Sequence, residues 1–242
     1  MKPAIMNAFI KRIIRRKTWT SNKKAITQVL TPRCRRDGIP EHGRFTPKEI
    51  ERVITQAESN TKELVPHFKD FDNPGNYYME YGGLINLATY RALVKEGVDS
   101  DYAMNLVGDI IWQVLVNTKG IIPLVDPLKR KLARWRTRDP VAYLGKRLED
   151  GLKSPFSEPG YKIKLYRDKD VYHEDIYSCP VYDFYAQFGQ EEMTLFRKTW
   201  CTFDYAAAEN LVEGGKYQRE HTLSDGDDVC DMRWFITSES SD

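Results

Sequence analysis

The sequence predicts an α+β fold in which a helical N-terminal half packs on a C-terminal antiparallel sheet. Apolar residues recur at helical spacing through residues 46–153, whereas residues 160–236 contain short stretches in which apolar and polar residues alternate. Strands that follow one another across short turns pair antiparallel, and helices then cover one face of the sheet. With 242 residues, of which 41% are hydrophobic, the chain is long enough to bury a large core. We expect residues 46–236 to form a single domain.

The helical half begins at a strong start signal. Thr46 is placed to cap a helix, and Glu49 three residues later completes a capping box. A second helix is predicted to end at Gly97, and a third to begin at Asp99 or the serine after it. These two helices are expected to form an antiparallel pair. Two further helical pieces are predicted to begin near Pro127 and Pro140, where proline suits the first turn.

The second half is predicted to contain two hairpins separated by a helix. The first hairpin surrounds the Arg-Asp-Lys-Asp turn at residues 167–170, and the helix spans residues 191–211. The second hairpin turns at SDGDD, residues 224–228, where glycine supplies a positive φ. The first hairpin shows period-two character in Ile163 and Leu165, and then in Val171 and Ile176. In the last strand Cys230, Met232, Trp234 and Ile236 share one face, so Cys230 is predicted to be a core thiol.

Positive charge is concentrated at the N-terminus. Residues 1–36 carry eleven Lys or Arg and no acidic residue, whereas the rest of the chain has 26 basic and 35 acidic residues. We treat residues 1–45 as a basic arm and residues 237–242 as a polar tail. The arm has an apolar helical face, which is expected to pack on the body; contact with a membrane surface is the alternative. That face consists of Phe9, Ile10, Ile13 and Ile14.

Composition excludes several classes of protein. No stretch is apolar enough for a secretory signal or a membrane span, and the four cysteines form no CxxC pair, so reduced thiols in the cytoplasm are expected. Nucleic acid is not an expected partner, because no base-reading motif accompanies the basic arm. The expected partner is a small-molecule substrate, without a cofactor. The sequence does not predict an oligomeric state.

The stretch YQREHTL, residues 217–223, places a cation beside a titratable group. In an extended strand Tyr217, Arg219, His221 and Leu223 share one face. Arginine binds a carboxylate through two parallel hydrogen bonds, and histidine exchanges protons near neutral pH. The pair therefore predicts a pocket for an anionic ligand.

Three segments of the C-terminal half carry a recognisable pattern. They read SCPVYDFYAQFG, WCTFDYA and REHTLSDGDDVCDMRWF, in that order. Together they resemble the C-terminal signature of the L-2-amino-thiazoline-4-carboxylic acid hydrolase family. The resemblance covers about residues 178–235, is weaker over residues 81–118 and is absent from the basic arm. The positions that match the signature are Cys179, Cys201, Asp204, Arg219, Thr222, Gly226, Asp227 and Cys230.

The resemblance implies hydrolysis of a cyclic amidine or a related carboxylate-bearing heterocycle. Water adds to the carbon between sulfur and nitrogen, and the adduct collapses to a carbamoyl amino acid. This chemistry needs a base for water, an acid for the departing atom and an anchor for the substrate carboxylate. The implied roles are Asp204 or Asp227 as base, His221 as proton donor and Arg219 as anchor. The other implied substrate-binding residues are Thr222, Cys179, Cys230 and Gly226.

Three alternatives remain open at this stage. In a covalent mechanism Cys201 or Cys179 attacks the same carbon. A zinc ion could be held by Cys201, Asp204, His221 and Cys230, although the spacing offers only one short ligand pair. Finally, the thiols are equally compatible with core packing and residues 225–228 with turn building, in which case the chain is a non-catalytic small-molecule-binding or scaffold module of the same fold.

Overall fold

A computed structural model describes residues 8–37, 39–118, 139–153, 157–202, 204 and 214–236. It confirms the α+β fold, with a helical N-terminal region and a four-stranded antiparallel sheet in the C-terminal part. The helices are α1 (Ala8–Leu30), α2 (Pro47–Leu64), α3 (Pro74–Lys95), α4 (Ser100–Asn117), α5 (Pro140–Lys153), α6 (Pro180–Tyr185) and α7 (Gln190–Thr199). The strands are β1 (Lys162–Asp168), β2 (Val171–Ser178), β3 (Gly215–Gln218) and β4 (Cys230–Ile236). The helix predicted near Pro127 and the polar tail lie outside the described residues.

The predicted ends of the N-terminal helices are confirmed. The Thr46 side chain accepts a hydrogen bond from the Glu49 backbone, and the Glu49 side chain accepts one from the Thr46 backbone N–H at 2.8 Å, which is the expected capping box. The Asp99 side chain accepts two backbone N–H groups at the start of α4. Gly97 has a φ of +84°, a conformation that favours glycine and ends the preceding helix. No helix in the described residues has the length and hydropathy needed to cross a bilayer.

Much of the basic arm is a helix docked on the body of the protein. The second half of α1 buries Ala25, Ile26 and Leu30 in the main core, which also contains residues of α3 and α4. In its first half, the Arg15 guanidinium lies 5.6–5.9 Å from the centroids of three aromatic rings, a favourable cation–π arrangement. Those rings belong to Phe68, Tyr77 and Tyr81. The arm is therefore a structural element of the fold.

The prediction for the apolar face of the arm is confirmed at one residue and wrong at three. Ile14 packs against the small cluster formed by Phe71 and Tyr77. Phe9, Ile10 and Ile13 are exposed instead, because α1 turns its other side towards the body. Helical spacing correctly grouped these apolar residues but could not identify which side of the helix is covered.

The sheet has the strand order β1-β2-β4-β3, and every neighbouring pair is antiparallel. The predicted first hairpin is confirmed, since Asp168 pairs with Val171 across its turn. One face is buried, and we call it the inner face. Its residues on the two central strands are Tyr172, Glu174, Ile176, Cys230, Met232 and Trp234. Val171 and Ile176 of β2 lie on opposite faces, because an odd separation along a strand places two residues on opposite faces.

Two glycines allow helices to approach their neighbours closely. A Cβ on Gly145 of α5 would lie 2.1 Å from the Tyr172 ring, so α5 packs directly on the inner face. A Cβ on Gly83 of α3 would lie 2.8 Å from Val181 of α6. The Tyr185 hydroxyl donates to the Gly83 carbonyl oxygen at 3.0 Å in the same contact. These contacts fix the sheet and α6 against the helical part.

Two predictions for the last third of the chain are wrong in detail. Strand β3 ends at Gln218, so the following residues do not extend it, and the expected tight turn is replaced by a 3-10 helix, Leu223–Asp225, capped by the Thr222 side chain. The helix expected over residues 191–211 ends at Thr199, and residues 200–202 form a turn. Asp204 is again helical, whereas residues 203 and 205–213 lie outside the described residues.

The close contact at Gly145 gives a test of the packing between α5 and the sheet. Gly145→Ala should lower the free energy of unfolding by about 1–3 kcal/mol, because the added methyl group overlaps the Tyr172 ring. Gly108→Ala in α4 is the matched control: its Cβ would meet only Thr199 at 3.8 Å, and the gain in helix propensity should stabilise the protein by up to about 1 kcal/mol. Denaturant unfolding measures both, and equal effects would contradict the packing.

Candidate active site

Several of the predicted site residues converge beside the inner face of the sheet. Cys179 lies between β2 and α6, Cys201 lies in the turn after α7, and Cys230 begins β4. The charges of these groups act on one another and on Asp204 and Arg219, which places them in a common neighbourhood. Together with two buried residues that were not predicted, they form what we call the inner-face cluster. Its members are Tyr161, Glu174, Cys179, Cys201, Asp204, Arg219 and Cys230.

The three thiols of the inner-face cluster are held in their protonated form. Burial raises the pKa of Cys179 to about 12 and raises the pKa of Cys201 and Cys230 as well. Cys179 Sγ lies 3.8 Å from the hydroxyl oxygen of Tyr161, and Cys230 Sγ accepts the Leu223 backbone N–H at 3.3 Å. Thiols in this environment are poor nucleophiles at neutral pH, because the thiolate is the reactive form.

Arg219 supplies the positive charge of the cluster. Its Nη2 donates to the carbonyl oxygen of Cys201 at 3.3 Å, and its guanidinium carbon lies 6.0 Å from the centroid of the Tyr217 ring. The charge of Arg219 lowers the pKa of Asp204 and of Cys201 relative to what burial alone would give. A guanidinium fixed in this way is well suited to bind a carboxylate.

Glu174 is the residue that the sequence analysis missed. It lies on the inner face directly opposite Met232, with its side chain buried, and its Oε2 accepts a hydrogen bond from Trp234 Nε1 at 3.1 Å. Burial and, to a lesser extent, the charge of Asp204 raise the pKa of Glu174 to about 8, against the Trp234 hydrogen bond, which lowers it. Glu174 is therefore mostly protonated at pH 7. The sequence could have indicated its burial, because Glu174 lies two residues from both Tyr172 and Ile176 and residues at that spacing in a strand share one face.

Asp204 has the opposite charge state at neutral pH. Burial raises its pKa to about 6, and the positive charge of Arg219 opposes that shift. At pH 7 Asp204 is thus mainly a carboxylate, and its charge helps to keep Glu174 protonated. Two neighbouring carboxyl groups whose environments separate their pKa values form an acid and base pair.

Four of the predicted site residues lie in the connection before β4 and outside the inner-face cluster. The His221 side chain is 55% exposed and its Nδ1 lies 3.3 Å from Asp231 Oδ2, a hydrogen bond that raises the His221 pKa. Asp227 Oδ2 accepts the Thr222 backbone N–H at 2.8 Å, and Thr222 caps the 3-10 helix. Gly226 provides the left-handed residue, with φ +98°, that ends it. Thr222, Gly226 and Asp227 thus shape the chain that leads to Cys230.

Among the described residues, the predicted zinc ligands do not form a group with their ligand atoms close together, and His221 is exposed and bonded to Asp231 instead. In the described part of the chain, one group of potential metal ligands has its ligand atoms within 4.8 Å of one another, and it consists of Glu220, His221 and Asp231. Asp231 Oδ1 already accepts two backbone N–H groups, and the Arg233 guanidinium lies 3.7 Å from Oδ2. This carboxylate organises the chain around it and balances a cation.

A family model matches the C-terminal part of the chain. Residues 139–234 match the family model described as L-2-amino-thiazoline-4-carboxylic acid hydrolase, which confirms the resemblance seen in the sequence. The match runs from α5 to β4 and contains every residue of the inner-face cluster, whereas α1–α4 lie outside it. No curated protein and no solved structure was found to match the chain.

The raised pKa of Glu174 predicts how stability depends on pH. The folded protein keeps the Glu174 proton up to about pH 8, whereas the unfolded chain releases it near 4.5, so this group's contribution to stability falls as pH rises between those values. Between pH 7 and 8 the loss should approach about 1 kcal/mol per pH unit. Glu174→Gln should remove most of that slope in urea unfolding measured at several pH values. An unchanged slope would contradict the assignment.

Proposed function

We propose that this protein is a hydrolase of the kind that its matched family describes, acting on a cyclic amidine or related carboxylate-bearing heterocycle at the inner-face cluster. The observation that carries the proposal is a pair of carboxyl groups linked by their charges, Asp204 with a pKa of about 6 and the buried Glu174 with a pKa of about 8, together with the guanidinium of Arg219, whose charge acts on Asp204. The match over residues 139–234 supports the reaction type. Base, acid and anchor are the three groups that the reaction needs.

The base role goes to Asp204. At pH 7 it is mainly ionised, and it can accept a proton from water as the water oxygen bonds to the carbon between sulfur and nitrogen. Asp204 then passes this proton to the ring nitrogen as the adduct forms. Partial desolvation keeps its pKa close to the working pH, which is the condition for efficient general-base catalysis.

The acid role goes to Glu174. When the adduct collapses, the bond between carbon and sulfur breaks, the sulfur leaves with the electron pair, and Glu174 supplies the proton that converts it to a thiol. The oxygen added from water becomes the carbonyl oxygen of the carbamoyl product as its remaining proton passes to Asp204. Asp204 then returns its proton to Glu174 directly or through water, which restores the starting state. This assignment replaces His221, which lies on the exposed side of the connection before β4.

The anchor role goes to Arg219. Because its guanidinium is held by the Cys201 carbonyl oxygen and the Tyr217 ring, little side-chain motion has to be lost when a substrate carboxylate binds. A neutral ligand would leave this buried charge without a new anionic partner. The proposal therefore favours substrates that carry a carboxylate.

The competing covalent route is disfavoured by the environment of the thiols. A nucleophilic cysteine requires a lowered pKa, whereas burial raises the pKa of Cys179 and Cys201. We assign these thiols to lining the site. A non-catalytic binding module of the same fold remains the outcome if no turnover is found for any substrate of this class.

Steady-state kinetics on thiazoline, hydantoin and cyclic amidine carboxylates can distinguish the role of the carboxyl pair from that of the anchor. Asp204→Asn and Glu174→Gln should each lower kcat by roughly 100-fold or more, because each removes a proton-transfer group. Arg219→Ala should raise KM by about tenfold or more with a smaller effect on kcat. In the wild-type protein kcat should follow a bell-shaped pH profile with limbs near 6 and 8 that belong to the coupled pair.

Asp227→Asn is the matched control for the carboxylate substitutions. It keeps an oxygen to accept the Thr222 backbone N–H, and its side chain lies outside the inner-face cluster, so turnover should stay close to that of the wild type. A loss of turnover in Asp227→Asn equal to that in Asp204→Asn would contradict the assignment of the base.

A cysteine substitution separates the two mechanisms. Cys201→Ser should retain most of the turnover, because water rather than sulfur attacks the substrate in the proposed route. The covalent route predicts an almost complete loss, since a serine hydroxyl is a much weaker nucleophile than a cysteine thiolate. Mass spectrometry of the protein during turnover provides an independent readout. A stable covalent adduct on Cys201 or Cys179 would overturn the proposed route.

A further inference from the structure

The outward side of α1 carries an unusual combination of exposed apolar and basic residues. Phe9 is 70% exposed, Ile10 40% and Ile13 37%. Exposed large hydrophobic residues are found elsewhere in the described part of the chain too, but these three lie within five positions of one helix. Phe9 and Ile13 are four residues apart, so they are neighbours on the same side of the helix.

Basic side chains flank this apolar patch. Arg12 and Arg16 lie along one side of it, Lys17 follows Ile13 one turn later, and all three are exposed. Within the described residues, no carboxylate lies within 4.0 Å of any of these three side chains. The sequence from residue 1 to residue 36 contains no acidic residue that could balance them.

The orientation of α1 is fixed by its other basic residues. Lys11 points towards the body, where its Nζ lies 2.9 Å from Asp70 Oδ2 and 3.4 Å from Asp72 Oδ1. Arg15 points the same way, over the rings of Phe68, Tyr77 and Tyr81. The basic residues of α1 are thus divided between an inward set with acidic and aromatic partners and an outward set without carboxylate partners in the described part of the chain.

We propose that the outward side of α1 binds the surface of an anionic phospholipid bilayer. Phe9 and Ile13, with Ile10 beside them, would enter the boundary between headgroups and acyl chains, while Arg12, Arg16 and Lys17 contact lipid phosphates. Charge complementarity selects this partner, because three cations with no carboxylate partner among the described residues match a negatively charged surface. A second copy of the chain would bring like charges together, and a nucleic acid would leave the apolar side chains without a partner. The inference is independent of the proposed hydrolase function.

Cosedimentation of the full chain with lipid vesicles tests this inference. Binding to vesicles of phosphatidylcholine mixed with phosphatidylserine should exceed binding to phosphatidylcholine alone by on the order of tenfold or more, and it should weaken as salt is added. Phe9→Ser with Ile13→Ser should reduce binding by a similar factor. Arg12→Glu with Arg16→Glu and Lys17→Glu should abolish the preference for phosphatidylserine.

Two control variants make the same chemical changes elsewhere. Ile39→Ser with Val94→Ser removes exposed apolar residues outside α1, and Lys48→Glu with Lys62→Glu and Lys95→Glu reverses three exposed charges on α2 and α3. Both controls should bind vesicles as the wild type does. Circular dichroism should give the same thermal midpoint for all variants compared. Equal binding to the two vesicle types, equal losses in the control variants, or binding to RNA without binding to vesicles would overturn the proposal.

Discussion

Removal of ionisable groups from water on the inner face of the sheet is the constraint on which the site depends. The face is otherwise made of Tyr172, Ile176, Met232 and Trp234, and it is covered by α5. A carboxyl group in such surroundings favours its neutral form, so Glu174 keeps its proton at a pH where an exposed glutamate would be charged. Asp204 differs because Arg219 offsets part of the same effect. One cation beside two buried acids is enough to give them different charge states.

The close contacts between helices and sheet maintain that removal from water. Gly145 lets α5 lie against Tyr172, and Gly83 lets α6 approach α3, which holds Cys179 at the edge of the sheet. The turn after α7 brings Cys201 and Arg219 together through a hydrogen bond. The site is therefore assembled from segments that are far apart in the chain, and its chemistry depends on packing that involves both halves. This explains why the residues that match the family model extend back to α5 rather than only to the signature segments.

The sequence was informative where local physical rules decide the structure. The capping residues Thr46 and Asp99, the positive φ of Gly97 and the alternation in β4 all behave as predicted, since each depends on neighbours within a few residues. The wrong expectations concern features that tertiary contacts decide. Strand β3 ends at Gln218, so His221 does not align with Arg219, and only the packing of α1 determines that Phe9 and Ile13 face outward. Glu174 was missed because glutamate is rarely buried, so a charged residue between Tyr172 and Ile176 was not expected to share their buried face.

A direct titration of the Glu174 carboxyl group tests the central claim. Carbon-13 NMR of the folded protein labelled at glutamate side-chain carboxyl carbons, with Glu174→Gln to assign the signal, gives the protonation of this group without requiring a substrate. The account predicts a midpoint near 8 for the Glu174 signal, with a smaller inflection near 6 as Asp204 ionises. A single midpoint near 4.5 would mean that Glu174 is charged at neutral pH, and that result would contradict its role as the acid.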